Sequence, residues 1–172
     1  MSNLNILSLY LGIRSQAVRW EGLQIYRVSW EDDQVAAWRR GDPLAPNADV
    51  EASLRTIRQI TDSGRRIVRI RGIHEPVSEY TRYEMEVAYP SNAAAGEEVY
   101  VVDLDAHPEF AAVGDLVIFD DDAAVHYLYD SEGRLLGYDF NDEPTALAEY
   151  RVIRQRLVAA AVPVGEFTAR MR

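Results

Sequence analysis

The chain predicts an α+β or mixed α/β fold, with a central, mostly antiparallel sheet of about five to six strands flanked by helices and a long C-terminal helix. Three observations predict it. Short runs rich in Val, Ile and Tyr, at 67–73, 98–104, 115–119 and 123–129, have the length and composition of strands. Tight polar connections, Asp120-Asp121-Asp122 and Ser131-Glu132-Gly133, join 115–140 into an antiparallel meander. Segments with apolar residues at helical spacing stand before and after those strands.

In chain order, Leu4, Leu7 and Leu11 within 1–13 sit at helical spacing, with Ile6 and Tyr10 beside them, and predict a docking helix. Residues 17–28 read as one strand, or two short ones about Gly22. Ser29, with Asp32 three residues on, marks a helix start, and Val35 and Trp38 are its buried side. Gly41 stops that helix, and GDPLAPN at 41–47 is a connector. A second helix covers 49–61, with Leu54, Ile57 and Ile60 inward; Asp62-Ser63-Gly64 ends it.

The strand at 67–73 places Val68 and Ile70 on one face and Arg69 and Arg71 on the other. Adjacent arginines repel unless an acid, an anion or solvent answers them, so two readings stand: pairing with acids of a neighbouring strand, or a face that meets an anion. After Pro76, Ser78 caps a helix to about Tyr89, with Tyr80, Tyr83 and Val87 on one side and Glu79, Arg82 and Glu86 on the other. The alternation of Thr81, Tyr83, Met85, Val87 and Tyr89 also fits a strand; the cap favours the helix. Residues 92–96 read as a small-residue loop and 106–114 as a loop or short turn. Strand 134–140 closes the meander. Asp142 and Pro144 open the last long helix, with Leu147, Tyr150, Ile153, Leu157 and Val158 as its core face. Pro163 ends it, and 166–172 read as a terminal turn.

At 172 residues this is one domain, 1–172: an N-terminal strand and two helices (1–63), a sheet-forming core (64–140) and the C-terminal helix (141–172). The net charge of -10 argues against direct nucleic-acid or anionic-membrane binding. No cysteine is present, which removes disulfides, thiolate metal sites and cysteine catalysis. With no signal peptide and no apolar run of spanning length, the expected location is the cytoplasm. All 18 basic residues are arginine, so no lysine can serve as Schiff base or phosphate ligand.

No motif of known chemistry is complete. His126 between strand residues reads as structural, and Asp103, Asp105 and His107 lack the spacing of a calcium loop. Asp120 to Asp122 suit a turn for backbone reasons. The densest polar pattern combines Arg69, Arg71, His74, Glu75, Tyr80, Arg82, Tyr83 and Glu84, in which Glu75 would orient His74 and Glu84 would answer Arg71. These are the candidate ligand-binding residues; no catalytic residue, metal or cofactor is expected. Replacing Arg69 and Arg71 by alanine is expected to leave the fold intact and abolish binding.

The stretches RRIVRIRGIHEPVSEYTRYE, NAAAGEEVYVV and DLVIFDDDAAVHYLYDSEGRLLGYDFNDEP, with AVRWEGLQIY and WRRGDPL nearer the start and AAAVP at the end of the last helix, resemble an uncharacterised actinobacterial family built on a domain of unknown function. The likeness spans nearly the whole chain, most closely in the EPxSxYxRYE box and the FDD turn segment. It implies genes near helix-turn-helix regulators, hence a regulatory or accessory role. A strand ending in FDD, a hairpin and an acidic-Pro helix also resemble degenerate phospholipase D-like sensor domains. Active members of that superfamily use His-x-Lys, which a chain without lysine cannot supply.

The expected function is therefore a non-catalytic binding protein that senses a small anionic ligand or binds a helix-turn-helix regulator. The alternatives are a hydrolase or toxin-like enzyme using His74 or His126 with Glu75, Glu84 or Asp residues, and a homodimer or scaffold that pairs through its sheet edge.

Overall fold

The computed structural model describes residues 4–170. Its sheet has seven strands in the order β6-β5-β4-β1-β2-β3-β7. These are β1 (Gln16–Glu21), β2 (Arg66–Ile73), β3 (Glu98–Asp103), β4 (Leu116–Phe119), β5 (Ala123–Tyr129), β6 (Leu135–Asn141) and β7 (Val162–Pro163). Strand β2 runs parallel to β1 and β3, and the other pairs are antiparallel. The expected α+β class and mostly antiparallel sheet hold, with β7 as the strand beyond the expected count.

The two parallel pairs need crossovers, and helices supply them. Between β1 and β2 run α2 (Asp32–Arg40) and α3 (Ala48–Thr61); between β2 and β3 run α4 (Glu79–Tyr83), a π-helical turn (Glu84–Ala88) and α5 (Tyr89–Ala94). Helix α6 (Pro144–Ala160) follows the meander, and α1 (Ile6–Gly12) and α7 (Val164–Arg170) lie at the two ends.

Helices cover both faces of the sheet, so its central strands are buried on both. On one face, Leu157 of α6 packs with Val18, Trp20, Val68 and Ile70, and Leu147 packs with Leu116, Ile118 and Ala124. On the other, Leu54, Ile57 and Ile60 of α3 pack with Ala17, Ile67, Val117, Phe119 and Val125, while Tyr89 and Phe167 pack with Ile73, Val99 and Val101. Gly72 lets the first face close tightly: a Cβ there would stand 2.6 Å from the Trp20 ring.

Several local expectations need correction. Residues 22–28 form no second strand; their polar groups bond outward, with the Gly22 N–H donating to Asp115 and the Gln24 amide to the Gly72 carbonyl. Helix α2 starts after Glu31 without a side-chain cap, so Ser29 does not cap it. Residues 92–94 continue α5 rather than forming a loop, because Pro90 lies in that helix's first turn, where the missing N–H costs nothing. In α1 the inward residues are Ile6, Leu9, Tyr10 and the expected Leu11, and Leu7 is exposed. Val158 of α6 is exposed rather than in the core, and 164–170 form a helix rather than a turn. The expected positions 1–3, 171 and 172 lie outside the described residues.

The turn signals read correctly. Ser78 caps α4, and Gly41 and Gly64 take left-handed conformations after their helices; Asn47, read as connector, turns out to cap α3. Asp120 and Asp121 both have positive φ, as a two-residue hairpin turn requires. Asp120 accepts from the Ser15 and Gln16 N–H groups, and Asp121 pairs with Arg154, so the acidic triplet is structural.

Candidate functional site

Strand alternation sends Arg19 and Glu21 of β1, and Arg69 and Arg71 of β2, to the face covered by α3 to α5. The parallel register sets Arg19 beside Arg69 and Glu21 beside Arg71. Two guanidinium groups side by side in the interior require a shared anion, and Glu21 is that anion. One of its oxygens lies 2.8 Å from Arg19 and 2.6 Å from Arg69. Glu97, just before β3, takes Arg69 Nε at 3.1 Å and accepts a 2.6 Å hydrogen bond from Asn92. Arg71 is fully buried, donates to Thr81 Oγ1 at 3.1 Å and lies 3.1 Å from Glu84.

The π-helical turn sets that last pairing. Its widened backbone starts at Glu84, placing the carboxyl over Arg71 while Tyr89 reaches the sheet five residues on. Single π-turns within helices are rare and occur frequently at functional sites.

Electrostatics separate the carboxyls. Burial alone would raise Glu21, but Arg19, Arg69 and Arg71 outweigh it and hold it near a pKa of about 2. Burial dominates at Glu84 and pushes it up to about 7 against the pull of Arg71. Burial likewise raises Glu31 and Asp115.

Above this floor lies a cavity of about 420 Å³. Arg19, Glu21, Arg69 and Glu84 form its polar base, and Tyr26, Tyr80, Tyr83, Tyr89, Tyr127 and Tyr129 ring it. The guanidinium groups of Arg19 and Arg71 sit 4.8 Å from the Tyr127 and Tyr26 ring centres. Tyr26 donates to Asp115 at 2.5 Å and Tyr80 to Glu31 at 2.7 Å, so these rings are fixed. Three lining groups keep a buried polar atom without a partner, Arg19 Nε, Glu21 Oε2 and the Tyr89 hydroxyl, while Glu84 Oε2 meets only the Arg71 guanidinium at 3.1 Å. Such orphans cost stability unless something answers them. Chemically, the cavity offers hydrogen-bond donors and acceptors at its base and aromatic walls above.

The structure brings together Arg69, Arg71, Tyr80, Tyr83 and Glu84 of the expected set. It separates the rest. His74 pairs with Asp105 at 2.9 Å on the surface, not with Glu75, whose backbone N–H also bonds Asp105. Arg82 is exposed on the far side of α4. Arg69 and Arg71 are interior groups, so alanine there is not expected to spare the fold: it would leave Glu84 unpaired, Glu21 with Arg19 alone and Glu97 with Asn92 alone. The expected pairing of Arg71 with Glu84 is present.

Sequence reasoning passed over Arg19, Glu21, Tyr26, Glu97, Tyr127 and Tyr129. One signal was available: Arg19 and Glu21 alternate with Val18 and Trp20, as Arg69 and Arg71 do with Val68 and Ile70. Among the described residues, no three His, Asp or Glu side chains gather as a metal site, and no helix is long and apolar enough to cross a membrane. His126 is on the opposite face of the sheet from the cavity, 3.2 Å from the Tyr150 hydroxyl.

A family model described as "Domain of unknown function (DUF6879)" matches residues 5–169. No curated protein matches the chain.

Proposed function

The chain belongs to the family of that domain of unknown function, and we propose that it is a non-catalytic binding protein whose cavity takes a small anionic ligand. One observation carries this reading: the floor of the cavity holds buried charged groups with unanswered hydrogen-bonding atoms, beneath a ring of tyrosines. An anionic group is met by the Arg19 and Arg69 guanidinium groups that line the cavity, and a planar body by the aromatic walls. The high pKa of Glu84 fits an anion, because a proton on that carboxyl frees Arg71 and Arg69 from one competing negative charge. Ligand sensing would serve regulation in the cytoplasm of a bacterium. A helix-turn-helix regulator is the partner that the sequence resemblance favours, and the net charge of -10 assigns any DNA contact to that partner. The likeness to phospholipase D-like sensor domains points the same way, toward binding.

The hydrolase reading draws no support from the geometry, since His74, His126 and Glu84 are not brought into one pocket. The test is to extract small molecules from purified wild-type protein and from Ser53→Trp, which blocks the exposed rim and leaves every floor charge in place. A metabolite bearing a carboxylate or phosphate that accompanies wild type alone supports the proposal. An equal small-molecule profile from both proteins removes it.

A further inference from the structure

The two edges of the sheet are built differently. At one end, β7 is two residues long, contains Pro163 and passes straight into α7. A short strand with proline is an ordinary way to blunt an edge. At the other end, β6 has seven residues, no proline and one charged residue, Asp139. Its apolar side chains are uncovered: Leu135 is 43% exposed, Leu136 70%, Tyr138 39% and Phe140 41%, and on the opposite face Leu128 of β5, across from Gly137, is 48% exposed. A long, apolar, unprotected edge offers unpaired N–H and C=O groups to another strand.

The sequence of this edge is self-complementary. Two antiparallel copies of β6 centred on Tyr138 set Arg134 opposite Asp142, Leu136 opposite Phe140, and Tyr138 opposite its own copy. Both ends of the pairing then match opposite charges, and apolar residues meet between them. The register also avoids a clash, because Asp139 falls opposite Gly137 rather than opposite another acid. A bulge lies where the ladder to β5 passes from Leu128 to Tyr129, skipping Leu136. The regular stretch from Gly137 to Asn141 stays straight and holds the centre of the pairing.

We infer that β6 pairs with β6 of a second copy of this chain, in the antiparallel register centred on Tyr138, to give a two-fold dimer with one continuous sheet. A two-fold contact uses the same patch on both copies, as this register does. Leu135 also lines the tyrosine-ringed cavity, so the dimer contact begins at its rim. The inference rests on the edge alone and holds whether or not the cavity binds a ligand.

Sedimentation velocity on the full chain over a range of concentrations tests it. Wild type is expected to dimerise. Tyr138→Lys is expected to weaken the dimer by about tenfold or more, because it sets like charges opposite one another. Asp142→Arg alone sets Arg134 against arginine and also weakens it. Arg134→Asp combined with Asp142→Arg restores it. Far-ultraviolet circular dichroism on each variant confirms the fold. A wild-type chain that stays monomeric overturns the proposal, as does a dimer indifferent to Tyr138→Lys. A charge-swapped double variant no better than Asp142→Arg overturns the register.

Discussion

Strands β1 and β2 present two buried faces made by the same residues in alternation. Toward α6 stand Val18, Trp20, Val68 and Ile70, and toward α3–α5 stand Arg19, Glu21, Arg69 and Arg71. The first face is dry, close-packed and self-explanatory: each large side chain fully removed from water contributes roughly 1.5–3 kcal/mol. The second face draws no such return. Desolvating its charges opposes their mutual attraction, and well-packed apolar residues would usually serve stability as well or better. Two covered faces of one pair of strands thus differ in what they contribute to stability. The apolar face packs the sheet against α6, and the charged face forms the base of the cavity above it.

The comparison breaks most readily at Trp20, which is 1% exposed, touches Phe110 and donates from its indole to the Val113 carbonyl at 3.0 Å. Trp20→Ala is expected to cost about 3–5 kcal/mol in urea unfolding. A loss below about 1 kcal/mol would mean that the apolar face is not the main support of the sheet.

On the charged face, Arg71→Met alone is expected to cost about 3–5 kcal/mol by leaving Glu84 buried and unpaired. Arg71→Met combined with Glu84→Met should recover that loss and can exceed wild type by about 1–4 kcal/mol, while ligand binding disappears. If the double variant is as unstable as the single one, the charges are there for folding and the contrast between the faces collapses.

The pH dependence separates two carboxyls on this one face. The folded pKa of Glu84, about 7, lies above the unfolded carboxyl value of about 4.3, so its stabilisation is full below that value and fades as pH rises through 7. Glu21 behaves oppositely: with a folded pKa of about 2, its stabilisation is full above the unfolded value and is lost as pH falls toward 2. Glu84→Gln should therefore flatten the decline in stability between about pH 4.3 and 7 and leave the acid limb unchanged. Urea midpoints measured across that range decide it. A decline unaltered by Glu84→Gln would assign it to another group.

The smallest effects are expected outside the cavity. His74→Ala and Arg82→Ala should leave unfolding midpoints and ligand binding at the wild-type level, since both side chains face solvent away from the tyrosine ring. A marked loss of ligand from either would move the site to the surface of α4.

Much of the frame was legible because it is written locally. Leu54, Ile57 and Ile60 repeat at helical spacing, Ser78 caps, Gly41 and Gly64 stop helices, and the aspartate turn closes a hairpin. The pairing of Arg71 with Glu84 was legible too, because both belong to one short stretch. The partners of Arg69 were not: Glu21 comes from a strand 48 residues earlier and Glu97 from a turn 28 residues later. His74 and Glu75 looked like part of the cluster because they are near in sequence. They lie past the buried end of β2, where the chain has left the covered face.

Amino-acid order by itself determined the fold class, most of the helices and strands, and which residues of β1 and β2 share a face. All of these follow from periods of two or 3.6 residues and from local caps and turns. Only the tertiary structure decided that both faces of the sheet are covered. That covering turned a row of arginines from an exposed stripe into a buried, carboxylate-matched floor, because helices arriving from distant parts of the chain remove the solvent that would otherwise have answered the charge.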